Sequence, residues 1–424
     1  MKSESRLKAM MFLEYAVKGL WFPLASVFLT ASAAEGGLGF TQQQKGWIIG
    51  IPLAVGAFFA PVIGRLCDRK FAAQKCLGFL LVCVGILKLV TAWQSSFLGW
   101  LCLSAVFSVF YVPTIALTNT LAMSHLKNPK EAFPRIRVWG TLGWIAVAWV
   151  FPMIWLQENL HFRLLPPFLV GDSVANAPGR MIDSVRVAGV LSILYGLFCI
   201  FCLPHTPPKK EGGEALRLTQ AFSLFRKRSF TVLMLAALFI SIIHTIYFMQ
   251  TGAFLVSAGL KSQYIMPAMS IGQFSEILML AVLGKLLTRF GFRPILLVGA
   301  GCFVLRYILF SMVQLPVAAF VAAQALHGIC FACFYATAFI YVDRLADEGI
   351  RHSAQTLFTL VMMGVAPLLA GLLNSRLASM LTGEGLTMGL ADYGGYWRGT
   401  ALIGVVAFLI LAALFRDETE SSES

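Results

Sequence analysis

Apolar runs of about twenty residues alternate with short polar breaks along the whole chain, and that rhythm decides most of what it can fold into. About 20 apolar residues in an α-helix cross the hydrocarbon core of a bilayer, and inside lipid only helices or closed barrels satisfy every backbone donor and acceptor. Twelve such runs stand out, at 10–33, 47–66, 77–93, 98–122, 136–155, 187–203, 231–256, 264–287, 294–313, 318–342, 357–377 and 399–415. The expected fold class is an all-α membrane protein of twelve transmembrane helices.

Composition agrees with this. Hydrophobic residues make up 58% and charged residues 12%, with a mean hydropathy of +0.79, which is too apolar for a soluble domain. A net charge of +13 would suggest nucleic acid as the partner of a soluble domain, but here the basic residues lie in loops, so the bilayer and not nucleic acid is the expected neighbour. Most of the 33 Lys and Arg residues fall in the segments on the side of the two termini, which places both termini in the cytoplasm under the positive-inside rule. The first run follows a basic start (Lys2, Arg6, Lys8) and contains Glu14 and Lys18; it is too long for a signal core and is expected to be retained. The nine cysteines lie mostly within apolar runs and lack metal-ligand spacing, so packing roles are expected.

Two loops are longer. Residues 157–186 have balanced charge and several Pro and Gly, as an irregular cap would. Residues 204–230 are basic and marked by Pro and Gly, and divide the chain into an N-terminal bundle, 1–203, and a C-terminal bundle, 231–424. Internal similarity supports two six-helix halves. GRLCDRKF at Gly64 recurs as GKLLTRFG at Gly284, FYVPTIALTNTLA at Phe110 recurs weakly as FYATAFIYVDRLA at Phe334, and Lys88 matches Arg306 in depth, all at similar offsets.

The eighth run carries Glu276 near its middle. A charge at the bilayer centre costs at least ~2.5 to 3.5 kcal/mol, so it must face protein or a wet cavity. Gln273, three residues earlier, shares its face. Together the amide and carboxylate could grip a vicinal diol, and the carboxylate could hold a coupling proton. The simpler alternative is that Glu276 neutralises a buried cation on a neighbouring helix, with Arg306 as the candidate.

Other sets surround it in sequence terms. Arg137, Thr141 and Trp144 follow i, i+4, i+7 spacing, giving one face a forked cation, a hydroxyl and an aromatic plane, suited to a planar, hydrogen-bonding solute. The same residues would also fit a lipid-phosphate anchor and an interfacial tryptophan. His327, Phe331 and Phe334 are expected on one face, where aromatic rings could stack a heterocycle, although a packing role is the simpler one for a lone histidine. The seventh run adds His244, Thr245, Tyr247, Phe248 and Gln250, whose polar members fit poorly in lipid. Glu14 and Lys18, four residues apart, are expected to neutralise each other, and Lys88 and Arg306 to stabilise packing. No phosphate-binding loop, G-x-S-x-G or H-E-x-x-H pattern occurs, so neither ATP-driven transport nor the common hydrolase chemistry is expected, and no catalytic residue, metal or cofactor is assigned.

The two repeats, with GRLCDRKF and its degenerate copy GKLLTRFG, resemble the major facilitator superfamily across the whole chain. YVPTIALTN, FPRIRVWGTLGWI, GQFSE and TAFIYVD look like the bacterial nucleoside:proton symporters. In that family an arginine, a threonine and an aromatic of helix 5 line the substrate site, which points to Arg137, Thr141 and Trp144. The glutamine and glutamate of helix 8 that bind ribose hydroxyls correspond to Gln273 and Glu276. The helix 10 aromatic corresponds to Phe331, and His327 stands where the family's nucleoside permease has a tyrosine. The chain departs from the pattern in helix 7, where Thr245 and Phe248 replace polar Gln and Asn, and at Ala332, which replaces an aspartate. The resemblance implies nucleoside import by proton symport and alternating access, with Glu276 as proton carrier, by a monomer in the bacterial inner membrane. Uniport without protons remains open, as does a sugar, glycoside or other small metabolite on the same fold. A non-transporting membrane sensor or an intramembrane enzyme is the alternative from another class.

Overall fold

In the computed structural model residues 3–208, 218–382 and 387–418 are described, so 209–217 of the basic linker lie outside them. Twelve long helices account for most of the described chain. They are α1 (Ser3–Trp21), α2 (Gln42–Lys70), α3 (Ala73–Ala92), α4 (Phe97–Ser124), α5 (Pro129–Trp155) and α6 (Ala177–Cys202), then α7 (Arg228–Ser257), α8 (Ile265–Phe290), α9 (Phe292–Ser311), α10 (Val317–Leu345), α11 (Arg351–Thr382) and α12 (Leu390–Leu414).

Eleven of these, α2 to α12, are long and apolar enough to cross a membrane. The exception is α1, whose 19 residues include Glu4, Arg6, Lys8, Glu14 and Lys18. The run expected at 10–33 is also not one helix. Pro23 cannot continue the backbone ladder, and the chain restarts as a short turn, Ala25–Phe28.

Local chemistry sets several helix starts. Thr41 and Gln44 form a reciprocal cap on α2, with Gln44 N donating to Thr41 Oγ1 at 3.1 Å and Thr41 N donating to Gln44 Oε1 at 3.0 Å. Ser96 caps α4 by accepting from Gly99 N at 3.1 Å. Asn176 does the same for α6 through Gly179 N at 3.3 Å, so that helix begins ten residues before its apolar run. The cap expected to be irregular instead holds an antiparallel hairpin, β1 (Gln157–Phe162) with β2 (Leu169–Ser173). Ser173 Oγ ties it to Gln263, just before α8, at 2.7 Å. The cysteine expectation needs one correction, because Cys67 and Cys76 are disulfide-bonded across the α2–α3 turn.

Neighbours in the bundle are α3 with α6, α2 with α4, α1 with α5 and α6, α9 and α7 with α12, and α8 with α10. Contacts that join the early and late helices include α2 with α11, α5 with α8, and α7 with both α2 and the short turn Ala25–Phe28. At the hairpin end, a buried polar cluster crosses that junction. Lys45 Nζ and Tyr393 OH both donate to Gln250 Oε1, at 2.9 and 3.2 Å, while Gln250 Nε2 donates to Gln42 Oε1 at 2.9 Å and to Asn374 Oδ1 at 2.7 Å. Tyr396 OH adds a bond to Asn374 Oδ1 at 2.8 Å. Every hydrogen-bonding group of the Gln250 amide is used, which is the condition for a buried polar network to rigidify rather than weaken its surroundings.

Candidate functional site

Two close helix crossings set the geometry. A Cβ on Gly143 would strike the Phe12 carbonyl oxygen, so only glycine lets α5 lie this close to α1. A Cβ on Gly328 would strike the backbone nitrogen of Glu276, so glycine also lets α10 meet α8. The first crossing presents Arg137, Thr141 and Trp144 beside α1. The second sets Gln273 and Glu276 beside His327.

Arg137 lies over the Tyr15 ring, 4.1 Å from its centroid. Glu276 is buried, and the Arg137 charge is within electrostatic reach of it and of Tyr15. Among the described residues Glu276 makes no ion pair. Arg306, the cation weighed as its neutralising partner, is engaged elsewhere. It donates to His327 Nδ1 and to Tyr307 OH, each at 2.9 Å, and its guanidinium lies 4.2 Å from the centre of the Tyr247 ring. Gln273 is likewise buried, and its Oε1 has no hydrogen-bond partner among the described residues. A buried acceptor left open in this way costs about 1–3 kcal/mol, which a ligand hydroxyl would recover.

The aromatic residues meet across three helices. Phe248 is 6.3 Å from Trp144, 5.8 Å from His327 and 5.2 Å from Phe22, centroid to centroid. His327 is stacked between His244 at 5.3 Å and Tyr247 at 5.0 Å. Arginine only donates hydrogen bonds, so His327 Nδ1 accepts, and the neutral ring carries its hydrogen on Nε2. Thr245 is buried and donates back to Ser241 O at 2.8 Å, a bond internal to α7.

Phe331 and Phe334 do not share the expected face. Residues 331–336 form a π turn, which changes the residue spacing. Phe334 turns fully inward near Gly299 of α9, whereas Phe331 is half-buried, its ring 5.7 Å from Tyr335. The Glu14–Lys18 pairing is also corrected. Glu14 makes no ion pair among the described residues and instead meets Thr114 Oγ1 at 2.7 Å and Thr118 Oγ1 at 3.2 Å, both on α4. Lys88 sits in an aromatic box, 3.1 Å from the Trp21 centroid and 4.0 Å from that of Phe107. Tyr15, Phe22 and Tyr335 had no sequence signal of their own, since an aromatic in an apolar run resembles any other core residue.

Solved transporters share this architecture. A crystal structure of the nucleoside transporter NupG (D323A mutant) superposes with a TM-score of 0.83 at 21% identity, covering 98% of this chain and 100% of that one. The D-xylose-proton symporter superposes with a TM-score of 0.70 at 13% identity, covering 97% of both. The chain thus has the fold of these transporters. The sequence pattern of the family described as "Nucleoside H+ symporter" matches residues 1–420, and the chain belongs to that family. It is 32% identical over 428 residues to the putative nucleoside transporter YegT of Escherichia coli K12, covering 98% of this chain and 93% of the relative.

Proposed function

We propose that the chain imports nucleosides with protons, through a site between two six-helix halves, 1–203 and 231–424, joined by 204–230. The observation that carries it is the pair on α8. Gln273 offers an unpartnered acceptor, and one helical turn away Glu276 is buried with no ion pair among the described residues. An acceptor amide and a carboxyl at this spacing suit the two hydroxyls of a ribose. Trp144, Phe248, His327 and Phe331 would supply faces for the base, and Arg137 and Thr141 polar contacts to it, with Thr245 lining the wall. Glu276 would carry the coupling proton, because substrate and proton then favour the same state, as coupling requires.

Both termini would face the cytoplasm of a bacterial inner membrane, with the monomer as the working unit in lipid. In that orientation the Lys45–Gln250 cluster closes the outer end, and rocking of the halves would open it. The test is uptake into proteoliposomes. Radiolabelled uridine and adenosine should accumulate under an inward proton gradient and should be displaced by other nucleosides but not by glucose. Glu276→Gln should lose the gradient-driven accumulation that its own proton drives and keep exchange of nucleoside for nucleoside. Equal accumulation by variant and parent rejects the coupling role, and displacement by glucose alone rejects the substrate.

A further inference from the structure

Among the described residues Glu14 of α1, with 1% exposure, is one of two buried carboxylates, the other being Glu276, and the transport site described above does not use it. Its hydrogen-bond surroundings bear on its protonation state, with Thr114, Thr118 and Tyr195 all bonded to the carboxyl. Thr114 Oγ1 lies 2.7 Å from Glu14 Oε1 and 2.6 Å from the Tyr111 carbonyl oxygen. A hydroxyl has one hydrogen, and a carbonyl can only accept. If Glu14 were ionised, one of these two short oxygen–oxygen contacts would hold no hydrogen. With the proton on Glu14 Oε1, both are satisfied: the carboxyl donates to Thr114, and Thr114 donates to Tyr111. The other oxygen, Oε2, still accepts from Thr118 Oγ1 at 3.2 Å, and Thr118 is in turn 3.4 Å from Tyr195 OH.

The ionised state has a different partner available. Lys18 lies one turn further along the same helix, where a Glu followed four residues later by a Lys can pair. In this structure the Lys18 ammonium instead lies 5.2 Å from the centre of the Phe22 ring and lines a cavity of about 40 Å³. That volume exceeds the ~10–15 Å³ needed to hold one water, but the wall is almost wholly apolar even though Ser104, Ser108 and Tyr111 are among its lining residues. Tyr111 also reaches the Glu14 backbone oxygen, at 3.5 Å, so the cavity borders the carboxyl's own helix turn. The other titratable groups around Glu14 are Tyr15 on α1, and Tyr195 and Cys199 on α6, with Arg137 of α5 behind Tyr15.

We propose that Glu14 is a second proton-binding site of this transporter, protonated when bonded to Thr114 and Thr118 and ionised when paired with Lys18. The proton changes place without any covalent bond to carbon being made or broken. A role in coupling rests on the chain being a proton-driven nucleoside transporter, but the site itself does not, and the two can be tested apart.

The direct test is infrared difference spectroscopy of the full chain in lipid, titrated with pH and without nucleoside. The parent should show a protonated-carboxyl C=O band that Glu14→Gln removes and Glu276→Gln leaves in place. Thr114→Val, which removes only the hydroxyl, should move that band to higher frequency and keep it present. A Glu14→Gln spectrum that retains every protonated-carboxyl band of the parent overturns the proposal, as does a band that Thr114→Val leaves unmoved. In proteoliposomes carrying uridine, Glu14→Gln should carry about one proton fewer per nucleoside than the parent. An unchanged ratio with the infrared band lost would overturn the coupling role alone.

Discussion

Lys45 on α2 donates to the Gln250 side chain on α7 at 2.9 Å, and both residues are completely buried. Among the described residues Lys45 Nζ has no acid beside it, so it is held by an amide oxygen in place of a counter-ion. A hydrogen bond to a charged group is worth about 1.5–3 kcal/mol net. The contact therefore makes a strong latch only while the cluster stays whole.

Gln250→Ala should release that latch. A loss of about 1.5–3 kcal/mol corresponds to a shift of roughly ten- to hundredfold toward the state open at the hairpin end. Spin labels at Ala34 and Lys261, both exposed near that end, should report longer distances in the variant. Lys45→Met should weaken the latch less than Gln250→Ala does, since it removes one bond and leaves Gln250 bonded to Tyr393, Gln42 and Asn374. Identical distance distributions in all three proteins would disprove the latch.

The aromatic cluster leads to a prediction about affinity. Stacking a base on an aromatic side chain is worth about 1–3 kcal/mol, so Trp144→Ala and Phe331→Ala should each weaken uridine binding by about five- to a hundredfold. Isothermal titration calorimetry on purified protein would measure this directly. Phe334→Ala should act differently. Its ring is fully buried and turned toward α9, so stability should fall without a matching loss of affinity.

The α8–α10 crossing can be tested with one methyl group. Gly328→Ala places a Cβ against the backbone of Glu276, an overpacking that costs about 1–3 kcal/mol and moves the carboxylate's own helix. Both the melting temperature in detergent and gradient-driven uptake should drop. Gly284→Ala, whose Cβ would meet open space, should leave both unchanged or raise the melting temperature slightly through better helix propensity. Equal melting temperatures for the two variants would show that the crossing tolerates the extra carbon.

Much of the fold was legible because its signals are local. Each apolar run carries its own requirement for length and internal hydrogen bonding, so eleven spans could be located, though α6, α11 and α12 start six to ten residues before the expected runs. Helix extensions were missed where polar residues continue the helix beyond the lipid core, as at 177–186 in α6. The oddity of Glu276 was also local, since an acid in such a run is costly wherever its neighbours lie.

The partners were not legible. Glu14 sits four residues from Lys18 in the chain, yet meets Thr114 and Thr118, about a hundred positions away. Arg306 could have neutralised Glu276, but packing gave it to His327. The π turn at 331–336 altered a face that regular helical spacing had drawn.

The amino-acid order alone thus determined which segments must be helices in lipid and which side chains are too polar to face it, because those costs are settled residue by residue. Only the tertiary structure decided which of those polar groups meet. Helices pack through whole faces at a few close crossings, and the contact that joins Lys45 to Gln250 spans 205 positions that no local pattern connects.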